Sequence, residues 1–375
     1  MDLITNLRYY FSKVKYNYYS NKIAKEATAS ELILRITGKE LPNLSNNEAQ
    51  KIIDTYKDLC SKPDLRYWQL YKSLGIDNPL ILSDAIYVTS ILRVLNPIQL
   101  SLTLQNKNYY PYLLGGIKQP RVILNCMKGV VLNEQGDCIN IKESIKLLRE
   151  AKDIIIKPSV GGCGGNGVRR LLLDSRIKDE DIIAIIHGYG SDYVAQERIK
   201  QSEQLSRFNE TSLNTIRVCT LNINGVTSIV NTMFRHGRNG AIVDNGGSGG
   251  ICCGINQQGQ FNGIAIDSKL NKYENTILGT HYSEASIQNV PKICEVAIAS
   301  HQRYLPMIGF AGWDFALDEN NYPVLIEVNL SWPGIMLEQL SNAAPIFGNR
   351  TEEVFEYCRK RQSSLHWSEF SVSWL

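Results

Sequence analysis

Gly309-Phe-Ala-Gly-Trp-Asp-Phe-Ala-Leu-Asp-Glu-Asn-Asn-Tyr-Pro-Val-Leu-Ile-Glu-Val-Asn329 is the stretch on which the fold turns. Two runs rich in β-branched and aromatic residues flank a polar turn at Glu319 to Tyr322, which predicts an antiparallel hairpin. A symmetric register pairs 318 with 323, 316 with 325 and 314 with 327, so Asp314 lies opposite Glu327. Strand alternation puts Asn329 on the face of Glu327 and turns Ile326 and Val328 toward a core. Like charges directly opposite each other destabilise a sheet, so the two carboxylates need a reason to be there. A hard divalent cation supplies one, because Mg²⁺ takes one or two carboxylates and completes its octahedron with water and substrate phosphates. Asp314, Glu327 and Asn329 are the candidate metal ligands. An exposed hairpin with incidental acids is the plain alternative, and the apolar residues around both acids argue for burial.

Upstream, Asp153-Ile-Ile-Ile-Lys-Pro158 reads as a strand ending in a lysine, followed by Ser159-Val-Gly-Gly-Cys-Gly-Gly-Asn-Gly167 with five glycines in nine residues. Such a loop lets bare backbone N–H groups approach phosphate oxygens, and Lys157 at its base adds a compact positive charge. Gly162, Gly164 and Gly165 are the candidate phosphate-cradle positions, with a purely structural glycine turn as the rival. The spacing from Gly162 to Gly167 matches G-x-G-x-x-G, yet Val168-Arg-Arg-Leu-Leu-Leu173 and a polar break follow it where a dinucleotide fold needs a long helix. The G-K-[ST] ending of a P-loop is also missing. The expectation is a flap joining two antiparallel strands.

Composition sets broad bounds. With 375 residues, 43% hydrophobic and 21% charged, the chain has material for two or three packed units. Lys and Arg number 40 against 37 Asp and Glu, and a net charge of +3 gives no reason to expect a nucleic-acid partner. The nine cysteines form no C-x-x-C pair and the five histidines show no zinc-like spacing with them, which fits a reducing cytosol. No stretch approaches the roughly 18 apolar residues of a bilayer span. Leu7 to Lys25 interleaves Arg8, Lys13, Lys15, Lys22 and Lys25 with Tyr9, Tyr10, Phe11, Tyr16, Tyr18 and Tyr19, a pattern suited either to the inner surface of an anionic membrane or to packing on the protein's own body.

Residues 1–104 carry helical patterning, at Leu3 to Ala24, Ser30 to Leu34, Glu48 to Leu59 and Ser83 to Leu95. From Lys118 the texture becomes short β-rich runs separated by Gly, Asn and Asp, with helices expected at 142–151 and 284–304. The fold class is α+β: a helical N-terminal region (1–104), a small lobe (105–189), a large lobe (190–348) and a C-terminal helical turn and tail (349–375).

The order of lysine-ended strand, glycine flap, Val194-Ala-Gln-Glu-Arg-Ile199, Asn214-Thr-Ile-Arg-Val218 and the Asp314…Glu327-Val-Asn329 hairpin resembles the ATP-grasp superfamily over residues 105 to 348. Phe234-Arg-His-Gly-Arg-Asn-Gly and Val243-Asp-Asn-Gly-Gly-Ser-Gly-Gly-Ile251 look more narrowly like its group associated with sugar transfer and polysaccharide clusters. The resemblance implies two lobes clasping ATP with Mg²⁺. It implies Lys107 and Lys157 on the α and β phosphates, and Gln196, Glu197, Arg198 and Ile199 as an interlobe hinge whose backbone takes the adenine edge. Asp314, Glu327 and Asn329 would be the metal ligands, with Arg217 near the γ-phosphate and acyl group. Lys107 can equally be a solvated lysine.

Arg217 sits in the apolar run Ile216 to Leu221, where a buried guanidinium needs an anion, either phosphate or a structural carboxylate. Arg235 and Arg238 are candidates for an anionic second substrate, with His236 between them as a possible base. Leu330-Ser-Trp-Pro-Gly334 supplies no basic residue, which leaves acyl stabilisation to Arg217 or Arg235. Glu203 and Glu210 are both candidates for the ribose acid. The expected activity is carboxylate–amine ligation through an acyl phosphate, releasing ADP and phosphate, with a sugar carboxylate or amino acid as substrate. A nucleotide-binding regulatory module and a kinase are the alternatives, and the oligomeric state stays open.

Overall fold

The computed structural model describes residues 3–28, 40–161, 164–238 and 240–365. The helical pattern expected at Ser30 to Leu34, the tail from residue 366, and Gly162 lie outside the described residues.

Twelve described strands form two sheets with antiparallel pairings. The smaller has the order β2-β1-β5-β3-β4 and comprises β1 (Val122–Met127), β2 (Val130–Leu132), β3 (Asp153–Pro158), β4 (Arg169–Leu172) and β5 (Tyr193–Glu197). The larger has the order β10-β9-β8-β7-β6-β11-β12. Its strands are β6 (Thr215–Ile223), β7 (Val226–His236), β8 (Ile251–Ile255), β9 (Phe261–Asp267), β10 (Lys272–Tyr273), β11 (Phe310–Leu317) and β12 (Pro323–Asn329). Asn224 and Gly225 join β6 to β7 at φ of 54° and 80°, the left-handed pair that a two-residue hairpin turn requires.

β5 lies beyond the boundary expected at residue 189, yet it is bonded on both sides, to β1 and β3. Its burial there is nearly complete, as a central strand between two neighbours must be.

The helices Ile141–Ala151 and Asp179–Gly188 bury Ile145, Leu148, Ile182 and Ile186 against the small sheet. Asn140 and Glu143 close a reciprocal capping box at the start of the first of these helices. One face of the large sheet packs on the helix Val290–Tyr304 through Ile293 and Ala297. The other face, with Cys219, Leu221, Ile223 and Phe310, shares a core with the N-terminal helices (Ile52, Tyr56, Trp68, Tyr87, Leu92) and with Val354 and Phe355 of the helix Thr351–Gln362.

Buried polar groups stitch that core together. Asn96 donates to the carbonyls of Phe310 (2.6 Å) and Leu330 (2.8 Å) and accepts from the N–H of Phe310 (2.9 Å). Leu95 accepts from the Gly309 N–H at 2.8 Å. The N-terminal helices are thus bonded to the strand that leads into the hairpin.

The hairpin departs from the symmetric register. Leu317 pairs with Pro323, Ala316 with Val324 and Phe315 with Leu325, and a bulge then restores Asp314 opposite Glu327. The bulge leaves Ile326 without a strand partner. Ile326, expected in the core, instead lines the cleft beside Glu327, while Val328 is buried as expected.

Candidate active site

Between the two sheets lies a cleft of about 410 Å³. β3 supplies Ile155 and Lys157 to it from one face, two residues apart, and Gln196 of β5 is the cross-strand partner of Ile155. Pro120, Val168, Leu213, Met233, Ile242 and Ile326 add apolar wall. The large sheet contributes Arg217, Arg235, Asp314, Glu327 and Asn329. Lys107, from the turn Lys107–Tyr109, completes a group of four cations that are each less than a tenth exposed.

Lys107 is bound to the flap base as well as to the hairpin. Its N–H donates to the Ser159 carbonyl at 3.1 Å, and its Nζ lies 2.7 Å from Glu327 Oε1. That ion pair, with Lys107 buried and Glu327 half-buried, replaces the solvated-lysine alternative. Lys157 is pushed down to about 8, by burial first and by neighbouring Lys107 second, with Glu327 opposing. Lys107 and Lys157 thus present two buried ammonium groups to the same cleft, the chemistry an anion calls for.

Arg217 takes carboxylates as partners. Its Nε is 2.5 Å from Asp314 Oδ1 and its Nη2 2.9 Å from Oδ2, while Nη1 is 3.1 Å from Glu338 Oε1. Arg235 places Nη2 3.0 Å from Asp314 Oδ2 and bonds the Thr215 hydroxyl with Nε (3.1 Å) and Nη2 (2.9 Å); that hydroxyl donates to Asp244. Burial pushes Asp314 up, but Arg217 and Arg235 outweigh it and hold its carboxyl below the ordinary range. For Glu338 burial prevails over Arg217, and for Asp244 it prevails over Arg235, so both stay above their ordinary values. The candidate catalytic arginines therefore line the cleft as anchored charges, with most of their N–H groups engaged.

Asp314, Glu327 and Asn329 all face the cleft, and Asn329 Nδ2 is 3.2 Å from Asp314 Oδ2. Two carboxylates and an amide oxygen suit a hard cation in donor type. Asp314, however, already receives Arg217 twice, Arg235 and Asn329, which occupies its lone pairs. Among the described residues no group of three His, Cys, Asp or Glu side chains is placed to hold a metal ion.

The glycine loop joins β3 to β4, which are antiparallel, as a flap should. Gly164 and Gly165 line the cleft, and the flap rests on the loop that follows β7: Ser248 Oγ donates to the Gly164 carbonyl at 2.5 Å. Gly165, at φ 78°, could not carry a Cβ without approaching Val243 to 3.1 Å.

In the hinge, Gln196, Glu197 and Ile199 line the cleft, but Arg198 does not. Arg198 points to Asp153 (3.5 Å), and its N–H donates to the Asp153 carbonyl at 3.2 Å. The Glu197 N–H is likewise engaged, by the Arg121 carbonyl at 2.9 Å.

Other candidates fall away. Arg238 bonds Asp267 (2.7 Å) and Tyr273 (2.8 Å) outside the cleft lining. His236 is buried among Phe208, Phe234 and Tyr282, with Nε2 2.6 Å from the Tyr282 hydroxyl, and burial pushes it down to about 4. Glu203 and Glu210 are exposed and absent from the cleft lining. Glu338, Asp244 and Thr215 were not anticipated. The signal for Glu338 was an acid flanked by Ile335, Met336, Leu337 and Leu340, where a charge is buried only with a partner.

A family model described as "Sugar-transfer associated ATP-grasp" matches residues 88–354. No curated protein matches the chain. Among solved structures, D-alanyl-alanine synthetase A from Vibrio cholerae is similar over 73% of this chain and 66% of its own, at 13% identity and TM-score 0.41. The D-alanine-D-alanine ligase from Coxiella burnetii gives 69% and 58%, at 14% identity and TM-score 0.40. The L-amino acid ligase from Bacillus licheniformis gives 68% and 48%, at 15% identity and TM-score 0.38. The chain thus spans between about half and two thirds of the length of these proteins.

Proposed function

The chain belongs to the sugar-transfer associated ATP-grasp family, and from that premise we propose that it is an ATP-dependent carboxylate–amine ligase working through an acyl phosphate. The observation that carries the reading is the convergence of Lys107, Lys157, Arg217 and Arg235 with Asp314, Glu327 and Asn329 in one cleft, two residues along β3 from its apolar wall.

Adenine would lie against Ile155, Ile326 and the Gln196–Ile199 segment, and Lys107 and Lys157 would neutralise the phosphates under the flap at Gly164 and Gly165. Glu327 and Asn329, with Asp314 if one arginine yields its place, would hold Mg²⁺, which when bound neutralises charge on the phosphate oxygens. A carboxylate oxygen attacks the γ-phosphorus and the bond to ADP breaks, giving an acyl phosphate. An amine nitrogen then attacks the acyl carbon, phosphate leaves, and the nitrogen gives up its proton. Lys157 and the anchored arginines stabilise charge on the transferring group without having to reorganise. The family description names sugar transfer, and the substrate we propose on that ground is a uronic acid or other sugar carboxylate, or an amino acid, in the assembly of a surface polysaccharide.

The test is incubation with ATP, Mg²⁺, candidate uronic acids and amino acids, with mass analysis of all products. ADP, phosphate and a new amide that requires both substrates are expected. AMP, or a lasting phosphoester formed without an amine, would overturn the reading, the second in favour of a kinase.

A further inference from the structure

The helix Leu3–Thr28 has two apolar stripes on opposite sides. Tyr16, Tyr19, Ile23 and Ala27, spaced by three and four residues, face the core that the N-terminal helices share with the large sheet. Leu7, Tyr10 or Phe11, Val14 and Tyr18 recur at the same spacing, and each of these five is 48–65% exposed. At 3.6 residues per turn the second stripe falls on the side of the helix away from the first.

Its chemistry is specific. Arg8, Lys13, Lys15, Lys22 and Lys25 give the helix five basic residues against Glu26 as its single acid. Lys13 and Lys15 are exposed and sit one residue to either side of Val14, so they flank the apolar stripe. Tyrosines offer an apolar ring with a polar tip, the form favoured at a membrane–water boundary. No single described helix is long and apolar enough to cross a membrane. A helix of this composition lies in the plane of the interface, its rings among acyl chains and its ammonium groups among phosphates.

We propose that the exposed stripe of Leu3–Thr28 docks the protein on an anionic lipid surface. Charge complementarity selects that occupant over a second copy of the chain, since two such helices would bring five basic residues against five. The inner stripe stays bound to the protein core, and none of the cleft-lining residues belongs to this helix, so docking leaves the cleft clear. The inference is independent of the ligase reading.

Sedimentation of the full chain with vesicles of phosphatidylcholine alone, and of phosphatidylcholine mixed with phosphatidylglycerol, tests it. Binding is expected to the anionic vesicles only and to fall as salt rises. Tyr10→Ser with Phe11→Ser, and separately Lys13→Glu with Lys25→Glu, are each expected to weaken binding about tenfold or more while circular dichroism and thermal unfolding stay as in the parent. Equal binding to both vesicle types, binding to neither, or unchanged binding by both variants would overturn the proposal. So would a dimer in light scattering that is lost in Tyr10→Ser with Phe11→Ser and does not bind vesicles, which would give the face to a second copy.

Discussion

Arg217 and Asp314 are cross-strand partners on β6 and β11, joined by a buried two-pronged ion pair with contacts of 2.5 and 2.9 Å. Desolvating both ions offsets most of their attraction, so the pair adds little net stability, but removing one partner strands the other. Asp314→Asn should cost about 3–5 kcal/mol, read as a lowered urea midpoint. A midpoint within error of the parent would show that Glu338 and Asp244 can compensate the two arginines alone.

Glu327 offers the opposite balance. Its side chain is 30% exposed and Lys107 sits on one oxygen, so Glu327→Gln should cost less than breaking the Arg217–Asp314 pair, about 1–3 kcal/mol, while abolishing nucleotide turnover. Turnover at the parental rate with Glu327→Gln would remove the residue from the proposed metal site.

Lys157, held near 8, binds phosphate only when protonated. ATP affinity should therefore be flat below about pH 8 and weaken above it, by at most about tenfold per pH unit. Lys157→Arg should bind ATP without that fall. An unchanged affinity in Lys157→Ala, measured by calorimetry at pH 7, would take the lysine out of the phosphate site.

His236 and His301 are both pushed down to about 4 by burial, from an ordinary value near 6.5. Between those two pH values the unfolded chain binds more protons than the folded one, so stability should be full above about pH 6.5 and decline as pH falls toward 4. Thermal unfolding across that range checks the sign, and His236→Gln should flatten part of the slope.

How far the sequence reaches is clearest at the hairpin. Alternation and the polar turn were enough to set Asp314 against Glu327, but not to find the bulge that delivers that pairing, because a single unpaired residue leaves no mark in a period-2 pattern. The flap was legible because five glycines in nine residues exclude most other uses. What held Arg217 was open between phosphate and carboxylate, and the carboxylates answer it, since Glu338 lies 121 residues away and only the packing of the helix Met336–Asn342 brings it there. The Arg198 side chain turns to Asp153, since a hinge motif fixes the backbone path and not which of four successive side chains faces the cleft.

The central claim is that a carboxylate oxygen becomes bonded to the γ-phosphorus of ATP. Turnover with Mg²⁺, the carboxylate substrate labelled with ¹⁸O and its amine, followed by mass analysis of the released phosphate, tests it most directly. The account predicts one carboxylate-derived ¹⁸O in each phosphate and none in the nucleotide. Label in AMP, or unlabelled phosphate alongside a formed amide, would contradict it.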